Sequence, residues 1–273
     1  MLKKERRKMR VRAQIVEHLK IGRAYYLLGL HAPEIARTAE AGQFINIRCA
    51  ETLDPLLRRP FSFYSIDRDA GIIKILYEVK GRGTEILSKY KVGDFLDIMG
   101  PLGRGIDELD NGGIQVILLG GGVGGAPMAA LAEKLHECGM RAIRVLLGAS
   151  TMDRLIPFDV FKSLGIEVSA ATEDGSLGYK GFVTDLLKKQ LEKFERKDCL
   201  VYACGPKEML KAAAEICRNK GVKCIVLMDA LMACGVGACQ GCALKVRDED
   251  GVETYVRVCT EGPNFDAREV VWE

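Results

Sequence analysis

Residues 232–242 have the sequence MACGVGACQGC, and a further cysteine, Cys259, follows them. Cys234, Cys239 and Cys242 are therefore spaced C-x4-C-x2-C, with a distal fourth cysteine. This is the ligand spacing of a plant-type [2Fe–2S] cluster, which is held by four thiolates. The spacing predicts that the end of the chain folds round such a cluster. Because these clusters carry single electrons, it also predicts a role in electron transfer.

The glycines of this stretch fit a loop that wraps closely round a cluster. Gly235, Gly237 and Gly241 are expected to supply tight bends, because glycine accepts positive φ. They are also expected to bring backbone N–H groups near the sulfur atoms. Disulfides and a structural zinc are the alternatives. No secretory signal is recognisable, which disfavours disulfides, and only one C-x2-C unit is present, whereas zinc sites usually have two.

Composition limits the classes of function. The chain of 273 residues has a formal net charge of +3, which is too small to indicate nucleic-acid binding. Seven of the first twelve residues are Lys or Arg. We expect a solvated tail there, with an arm for an anionic partner as the alternative. The longest apolar run, residues 116–132, contains five glycines and a proline, so no membrane span is predicted. Six further cysteines are expected to be reduced core residues of a cytoplasmic protein: Cys49, Cys138, Cys199, Cys204, Cys217 and Cys224.

The segment before the cysteines alternates β-rich runs with helical segments, which predicts a parallel sheet with helices on both faces. The predicted strands are residues 114–119, 142–147, 166–171, 199–203 and 223–227. The first strand leads into GGGVGG at 120–125, and Pro127 then opens a helix. A strand, a glycine turn and a helix N-terminus together form a pyrophosphate site, although this sequence departs from a strict GxGxxG.

The fourth of these strands leads into Cys204-Gly205-Pro206. This tripeptide is expected at the carboxyl edge of the sheet, where ligands bind in open α/β folds. A buried thiol without a ligand role is the alternative for Cys204.

The N-terminal third is predicted to be a small antiparallel barrel of short strands separated by Gly, Pro and Asp. The predicted strands are residues 9–16, 23–30, 43–48, 61–66, 72–79 and 95–99. Arg59 precedes Pro60 in the sequence RRPFS, and its guanidinium can bind a pyrophosphate. Gly83 and Thr84 precede a predicted helix at 85–90, so backbone N–H groups there can bind an anion.

The order of these motifs resembles the electron-transfer subunits of NAD-dependent (class 1B) dihydroorotate dehydrogenases, in the ferredoxin reductase superfamily. The resemblance covers nearly the whole chain and is most specific over residues 232–242, Cys259 and the tail at 261–272. It implies an α/β plus β fold with three domains. These are an antiparallel flavin-binding β-barrel (1–106), a parallel-sheet nucleotide-binding domain (107–227) and a small C-terminal [2Fe–2S] domain (228–273).

The resemblance also implies the binding residues, and no catalytic residue. FAD would contact Arg59, Pro60, Phe61, Ser62, Leu76, Tyr77, Glu78, Gly83 and Thr84. NAD would contact Gly120, Gly121, Gly122, Gly124, Cys204, Gly205 and Pro206. The cluster would be ligated by Cys234, Cys239, Cys242 and Cys259. The implied partner is an FMN-containing dihydroorotate dehydrogenase catalytic subunit, in a heterotetramer with two copies of each subunit.

Two choices remain within this resemblance. Phosphate-preferring relatives have Ser-Arg at the place that matches Thr172-Glu173-Asp174 in this chain, and carboxylates repel a 2′-phosphate, so NAD is expected rather than NADP. The alternative function is a reductase subunit for ferredoxin, sulfide or a hydrogenase. In the ferredoxin:NADP relatives an aspartate is expected at the position of Cys234, so the full cysteine set favours the pyrimidine role. Residues 227–231 lack the Glu-Glu-Arg type of segment common in the dihydroorotate family, which leaves the partner contacts open.

Overall fold

A computed structural model describes residues 8–106, 113–194, 199–248 and 250–272. Residues 1–7 of the predicted basic tail lie outside the described part, as do residues 107–112 at the predicted first domain boundary. The remaining basic residues of that segment are described: the first strand begins at Met9, and Arg10 forms an ion pair with Asp97 at 2.6 Å. In the described part, none of the helices has the length and apolar character needed to cross a membrane.

Residues 9–102 form a seven-stranded antiparallel sheet with the strand order β4-β3-β7-β1-β2-β6-β5. Its strands are β1 (Met9–Ile21), β2 (Tyr25–His31), β3 (Phe44–Arg48), β4 (Arg59–Ser62), β5 (Ser65–Asp67), β6 (Ile72–Glu78) and β7 (Phe95–Leu102), with short helices α1 (Pro33–Ala36) and α2 (Arg82–Leu87). The sheet curls, because β4 at one edge contacts β6 near the other, and the ring centroids of Phe61 and Tyr77 are 5.8 Å apart. The predicted barrel is therefore a half-barrel with a filled interior.

Local details of this sheet differ from the sequence prediction. The strand predicted at 61–66 is two strands, because Phe63 and Tyr64 form a buried corner and Tyr64 N donates to Lys74 O at 2.8 Å. Strand β1 is longer than predicted and contains an irregularity between Ile15 and Glu17. The helix predicted at 85–90 begins earlier, at Arg82.

A second seven-stranded sheet has the order β11-β10-β9-β8-β12-β13-β16. Its strands are β8 (Gln115–Gly121), β9 (Ile143–Ala149), β10 (Glu167–Thr172), β11 (Tyr179–Lys180), β12 (Cys199–Cys204), β13 (Lys223–Leu227) and β16 (Asn264–Asp266); the helices are α3 (Gly125–Glu137), α4 (Asp159–Ser163), α5 (Val183–Leu191) and α6 (Lys207–Lys220). Within β8, Val116 and Leu118 pack in one core cluster, whereas Ile117 and Leu119 pack in the other. Both faces are thus covered, as expected of a parallel sheet.

The last part of the chain packs against both sheets. Strands β14 (Ala243–Arg247) and β15 (Glu253–Arg257) form a hairpin, and α7 (Val258–Glu261) follows. Strand β16 then pairs antiparallel to β13 of the α/β sheet. On the barrel side, Arg104 N donates to Gly262 O at 2.6 Å and Asn264 Nδ2 donates to Arg104 O at 2.7 Å. The cysteine loop is therefore held against the barrel and the α/β sheet together.

All ten cysteines lie in the described residues, and none of them forms a disulfide. Cys49, Cys199, Cys217 and Cys224 are buried, as predicted. Cys138 is exposed, so the prediction of a core residue is wrong there, because this residue caps the C-terminus of α3 where the chain turns outward.

Candidate cofactor-binding site

The cysteine loop presents sulfur atoms to backbone N–H groups. Cys234 Sγ accepts hydrogen bonds from Val236 N and Cys239 N, each at 3.4 Å. Burial raises the pKa of the Cys234 thiol, but these N–H donors outweigh it and bring the pKa down to about 6. Cys234 is therefore largely a thiolate at neutral pH, which is the form that binds metal.

The four thiols form two pairs. The Cys239 thiol is hydrogen-bonded to Cys234, and the Cys242 thiol is hydrogen-bonded to Cys259. Burial, together with the Cys242 thiol, raises the pKa of Cys259 to about 11, so the Cys259 thiol is neutral without a metal. Among the described residues, no three His, Cys, Asp or Glu side chains are arranged to hold a single ion. Two pairs suit two irons, each with two thiolates, better than one zinc.

The loop backbone is bent where the sequence predicts it, with one exception. Gly235 and Gly237 have φ values of +69° and +90°. Gly241 does not adopt positive φ, so that prediction is wrong; the left-handed residue at this point is Gln240, with φ of 61°. Gly241 N instead donates to Cys239 Sγ at 3.4 Å. The N–H contact to sulfur that was predicted for these glycines is thus present at Gly241.

In the barrel, Arg59 and Gly83 lie together although they are far apart in sequence. A Cβ on Gly83 would be 3.0 Å from Arg59 Nε. A hydrogen bond holds the guanidinium in place, because its Nη1 donates to Leu57 O at 2.7 Å. The Thr84 hydroxyl accepts from Gly81 N at 3.2 Å and donates to Gly81 O at 2.9 Å, so it holds its own turn. Gly83 is itself buried, and its lack of a side chain lets Arg59 pack closely against the start of α2.

An aromatic group lies between strands β4, β6 and β2. The Tyr77 ring stacks on the Tyr26 ring, with 5.5 Å between the ring centroids, and meets the Phe61 ring edge-on. His18 fixes the Tyr77 hydroxyl: its Nδ1 lies 2.8 Å from Tyr90 O and its Nε2 lies 2.9 Å from the Tyr77 oxygen. A carbonyl only accepts, so Nδ1 carries the proton and Nε2 accepts from Tyr77 in the neutral ring. His18 lies on β1, and only the packing of β1, β2 and β6 as neighbours in the sheet brings it to Tyr77.

Glu78, another predicted flavin residue, lies at the edge of a cleft. Leu76 is buried, whereas the Glu78 carboxylate forms ion pairs with Lys80 at 3.1 Å and with Arg154 at 2.7 Å. Arg154 belongs to the turn after β9, so this pair joins the barrel to the α/β sheet. The cleft has a volume of about 460 Å³ and is lined by Tyr26, Glu78, Arg154 and further polar residues. An aromatic and basic lining suits a nucleotide.

The predicted NAD residues meet at the carboxyl edge of the α/β sheet. Strand β8 enters a 3₁₀ turn (Gly122–Gly124), and α3 then begins at Gly125 with Pro127 in its first turn. A Cβ on Gly124 would lie 2.5 Å from Cys204 O, and a Cβ on Gly121 would lie 3.0 Å from Pro206 Cδ. The two glycine-containing segments therefore touch. Burial, with Asp229 adding to it, raises the pKa of Cys204 to about 12, which leaves a neutral thiol at this edge.

Comparison with known proteins agrees with this three-part arrangement. Family models match an oxidoreductase FAD-binding domain over residues 12–105, an oxidoreductase NAD-binding domain over 118–215, and the iron-sulfur cluster binding domain of dihydroorotate dehydrogenase B over 229–271. The dihydroorotate dehydrogenase B (NAD(+)) electron transfer subunit of Desulforamulus reducens is 42% identical, covering 91% of this chain and 93% of the relative. That of Geobacillus thermodenitrificans is 40% identical, with coverage of 96% and 98%.

The chain belongs to the dihydroorotate dehydrogenase B electron transfer subunit family. A solved structure of an NADH-dependent reduced ferredoxin-NADP oxidoreductase is also similar, with 33% identity, a TM-score of 0.82 and coverage of 95% of this chain and 90% of that one. A ferredoxin reductase of carbazole 1,9a-dioxygenase shares the fold, with a TM-score of 0.66 at 20% identity, covering 79% of this chain and 67% of that one. Oxidoreductase character and sites for FAD, NAD and an iron–sulfur cluster follow from the family.

Proposed function

We propose that this chain carries electrons from a dihydroorotate-oxidising catalytic subunit to NAD+, for pyrimidine (UMP) biosynthesis. The observation that supports this most directly is the pairing of Cys234 with Cys239 and of Cys242 with Cys259 on a loop packed against the barrel. Dihydroorotate would lose two electrons and two protons to become orotate, and NAD+ would take a hydride, so one proton is released.

The four cysteines would hold the cluster, two on each iron. When bound, the cluster supplies one-electron transfer, and the flavin couples single electrons to hydride transfer. The protein's part is to hold the sulfur ligands, to donate N–H hydrogen bonds to them and to place the cofactors in order. The backbone donors at Val236, Cys239 and Gly241 favour the thiolate form that the cluster requires.

The barrel residues would bind FAD from two sides. Arg59, with Gly83 and Thr84, would bind the pyrophosphate, because a guanidinium pairs well with phosphate oxygens. Glycine at position 83 allows the close approach of Arg59 to α2, because a side chain there would press on Arg59. The flavin ring and its ribityl side would contact Pro60, Phe61, Ser62, Leu76, Tyr77 and Glu78.

The edge formed by β8 and β12 would bind NAD. Backbone N–H groups of Gly120, Gly121, Gly122 and Gly124 would face the pyrophosphate. Cys204, Gly205 and Pro206 would lie near the nicotinamide. Both carboxylates of this segment are exposed, but Asp174 accepts a hydrogen bond from Ser176 (2.6 Å between Oδ1 and Oγ), whereas Glu173 has no side-chain hydrogen bond among the described residues. Glu173 is therefore the carboxylate that would accept ribose hydroxyls and repel the 2′-phosphate of NADP.

The proposal extends to organisation. The domains would be residues 1–106 for FAD, 107–227 for NAD and 228–273 for the cluster. The partner would be an FMN-containing catalytic subunit, with two copies of each subunit, and the complex would be cytoplasmic. Ten cysteines that form no disulfide are consistent with a reducing compartment.

A ferredoxin-linked reductase is the second candidate, because the ferredoxin-NADP oxidoreductase structure covers nearly the whole chain at 33% identity. The pyrimidine role is favoured because the curated relatives at 40% and 42% identity carry the dihydroorotate name. The two candidates differ in the electron donor and share the cofactor sites.

The variant Cys239→Ser tests the electron order. It should abolish the cluster's EPR signal and dihydroorotate-dependent NADH formation, yet largely retain oxidation of NADH by ferricyanide through FAD. Cys138→Ser, at an exposed cysteine outside the cluster loop, is the matched control and should behave as the wild type. Loss of both activities in Cys239→Ser, with FAD still bound, would contradict the proposed order.

A further inference from the structure

Asn46 is a buried polar side chain without a partner. It lies in β3, is 0% exposed, and neither its Nδ2 nor its Oδ1 has a hydrogen-bond partner among the described residues. An unsatisfied buried amide is costly, so native proteins nearly always supply a partner from protein, water or ligand. The side chain therefore requires a partner that the polypeptide itself does not provide.

The register of β3 shows where the side chain points. Successive residues of a strand face opposite sides. Ile45 and Ile47 pack in the cluster that includes the barrel interior, whereas Phe44 packs in the cluster that contains Cys242 and Cys259. Asn46 shares the face of Phe44. It therefore points out of the barrel, toward the C-terminal cysteines.

The side chain meets the cysteine loop at Gly235. A Cβ on Gly235 would collide with Asn46 Nδ2 and would lie 3.4 Å from Asn46 Cγ. Gly235 directly follows Cys234 and has φ of +69°. Glycine at this position thus lets the barrel amide approach the loop at the first cysteine.

A second buried polar group without a hydrogen-bond partner, the hydroxyl of Thr260, contacts the same loop. Thr260 Oγ1 is buried without a partner, and it lies 3.4 Å from the Cβ position of Gly237. Two of the unsatisfied groups therefore flank the segment that would enclose the cluster. Gln190 Oε1 is likewise unsatisfied, but it lies on α5, an element remote in sequence from the loop.

We propose that the Asn46 amide donates a hydrogen bond to a sulfur atom of the bound cluster, at the side of Cys234, and so raises the cluster's reduction potential. The proposal rests on the proposed function, because it requires the cluster. Hydrogen bonds to cluster sulfurs set the potential, since they favour the more negative, reduced state. Asn46 also lies opposite Pro60 in the pairing of β3 with β4, so it stands between the cluster loop and the strand assigned to the flavin.

The test is an EPR-monitored redox titration of the native complex. Asn46→Leu removes the amide at nearly constant volume and should lower the cluster's potential by about 59 mV, which is a tenfold change in the one-electron equilibrium. The FAD content and the flavin potential should not change. Gln190→Met is the matched control, at another buried side chain whose polar atom has no hydrogen-bond partner, and should leave the cluster potential unchanged.

Three outcomes overturn the proposal: an unchanged potential with full iron content, a shift confined to the flavin, or the same shift in Gln190→Met. If Asn46→Leu fails to assemble, wild-type protein with ¹⁵N-labelled asparagine side chains decides. Pulsed EPR should detect a ¹⁵N coupling to the reduced cluster, and its absence overturns the proposal. A wild-type complex that contains the cluster but does not oxidise dihydroorotate would instead contradict the proposed function and leave this test valid.

Discussion

The substitution Gly83→Ala tests whether Arg59 and Gly83 form one phosphate-binding surface. The new Cβ would lie 3.0 Å from Arg59 Nε and 3.2 Å from its Cγ. Ordinary carbon contacts are about 3.5–4.0 Å, so the side chain must move by about 0.5 Å. The Arg59 side chain cannot move freely, because its Nη1 donates a hydrogen bond to Leu57 O at 2.7 Å. A charge-assisted hydrogen bond contributes about 1.5–3 kcal/mol, so its partial loss should weaken FAD binding about tenfold.

Folding stability should respond in the opposite direction. Gly83 lies within α2, and alanine in a helix stabilises by about 0.5–1 kcal/mol relative to glycine. FAD-free Gly83→Ala should therefore unfold at the same temperature as the wild type or higher, while its FAD affinity falls. This opposition separates a local effect on Arg59 from a general loss of structure.

The assay is fluorescence titration of FAD into the FAD-free protein, with thermal unfolding of the same samples. Gly81→Ala is the matched control, because a Cβ there has nothing within 4 Å and the backbone is extended. Equal FAD affinity in Gly83→Ala and Gly81→Ala would refute the reasoning.

Three further predictions concern charge. Arg59→Ala should weaken FAD binding about 10–100-fold, measured as flavin lost on dialysis, and unchanged flavin content would count against its phosphate role. Burial raises the pKa of Asp97, but Arg58 and Arg10 outweigh it and hold the pKa below the ordinary 3.8. The stabilisation of the folded state by these two ion pairs is therefore fully present above the pKa of Asp97 in the unfolded chain. It is lost as the pH falls through the lower pKa of Asp97 in the folded protein. Asp97→Asn should cost about 1 kcal/mol in urea unfolding at pH 7 and almost nothing near pH 2, and an equal cost at both pH values would exclude this origin. Glu173→Arg should shift the ratio of kcat/KM for NADH over NADPH toward NADPH by about tenfold, and an unchanged ratio would assign cofactor choice elsewhere.

Local sequence predicts most strands because short-range patterns determine them. The run QVILLGG forms β8 and its glycine turn where the sequence places them, since apolar β-branched residues followed by glycines have few alternatives. The cysteine spacing likewise suffices to propose the four ligands of the cluster. The antiparallel strand β16 was not predicted, because its three residues pair with β13 only through the packing of the whole C-terminal part.

The contacts between distant elements could not be predicted from the sequence. His18 meets Tyr77 because β1, β2 and β6 are neighbours in the barrel, and nothing near His18 in the sequence indicates this. Asn46 lies between Ile45 and Ile47 in β3, and its significance comes only from its burial beside Gly235. Such groups are chemically ordinary in sequence and become distinctive through tertiary structure.

The most direct test of the central claim is dihydroorotate-dependent NADH formation by the native complex purified through this chain. NADH and orotate should form in equal amounts, in a preparation that contains an FMN subunit together with FAD and the cluster. A preparation that retains FAD and cluster, reduces NAD+ with ferredoxin and does not react with dihydroorotate would contradict the claim.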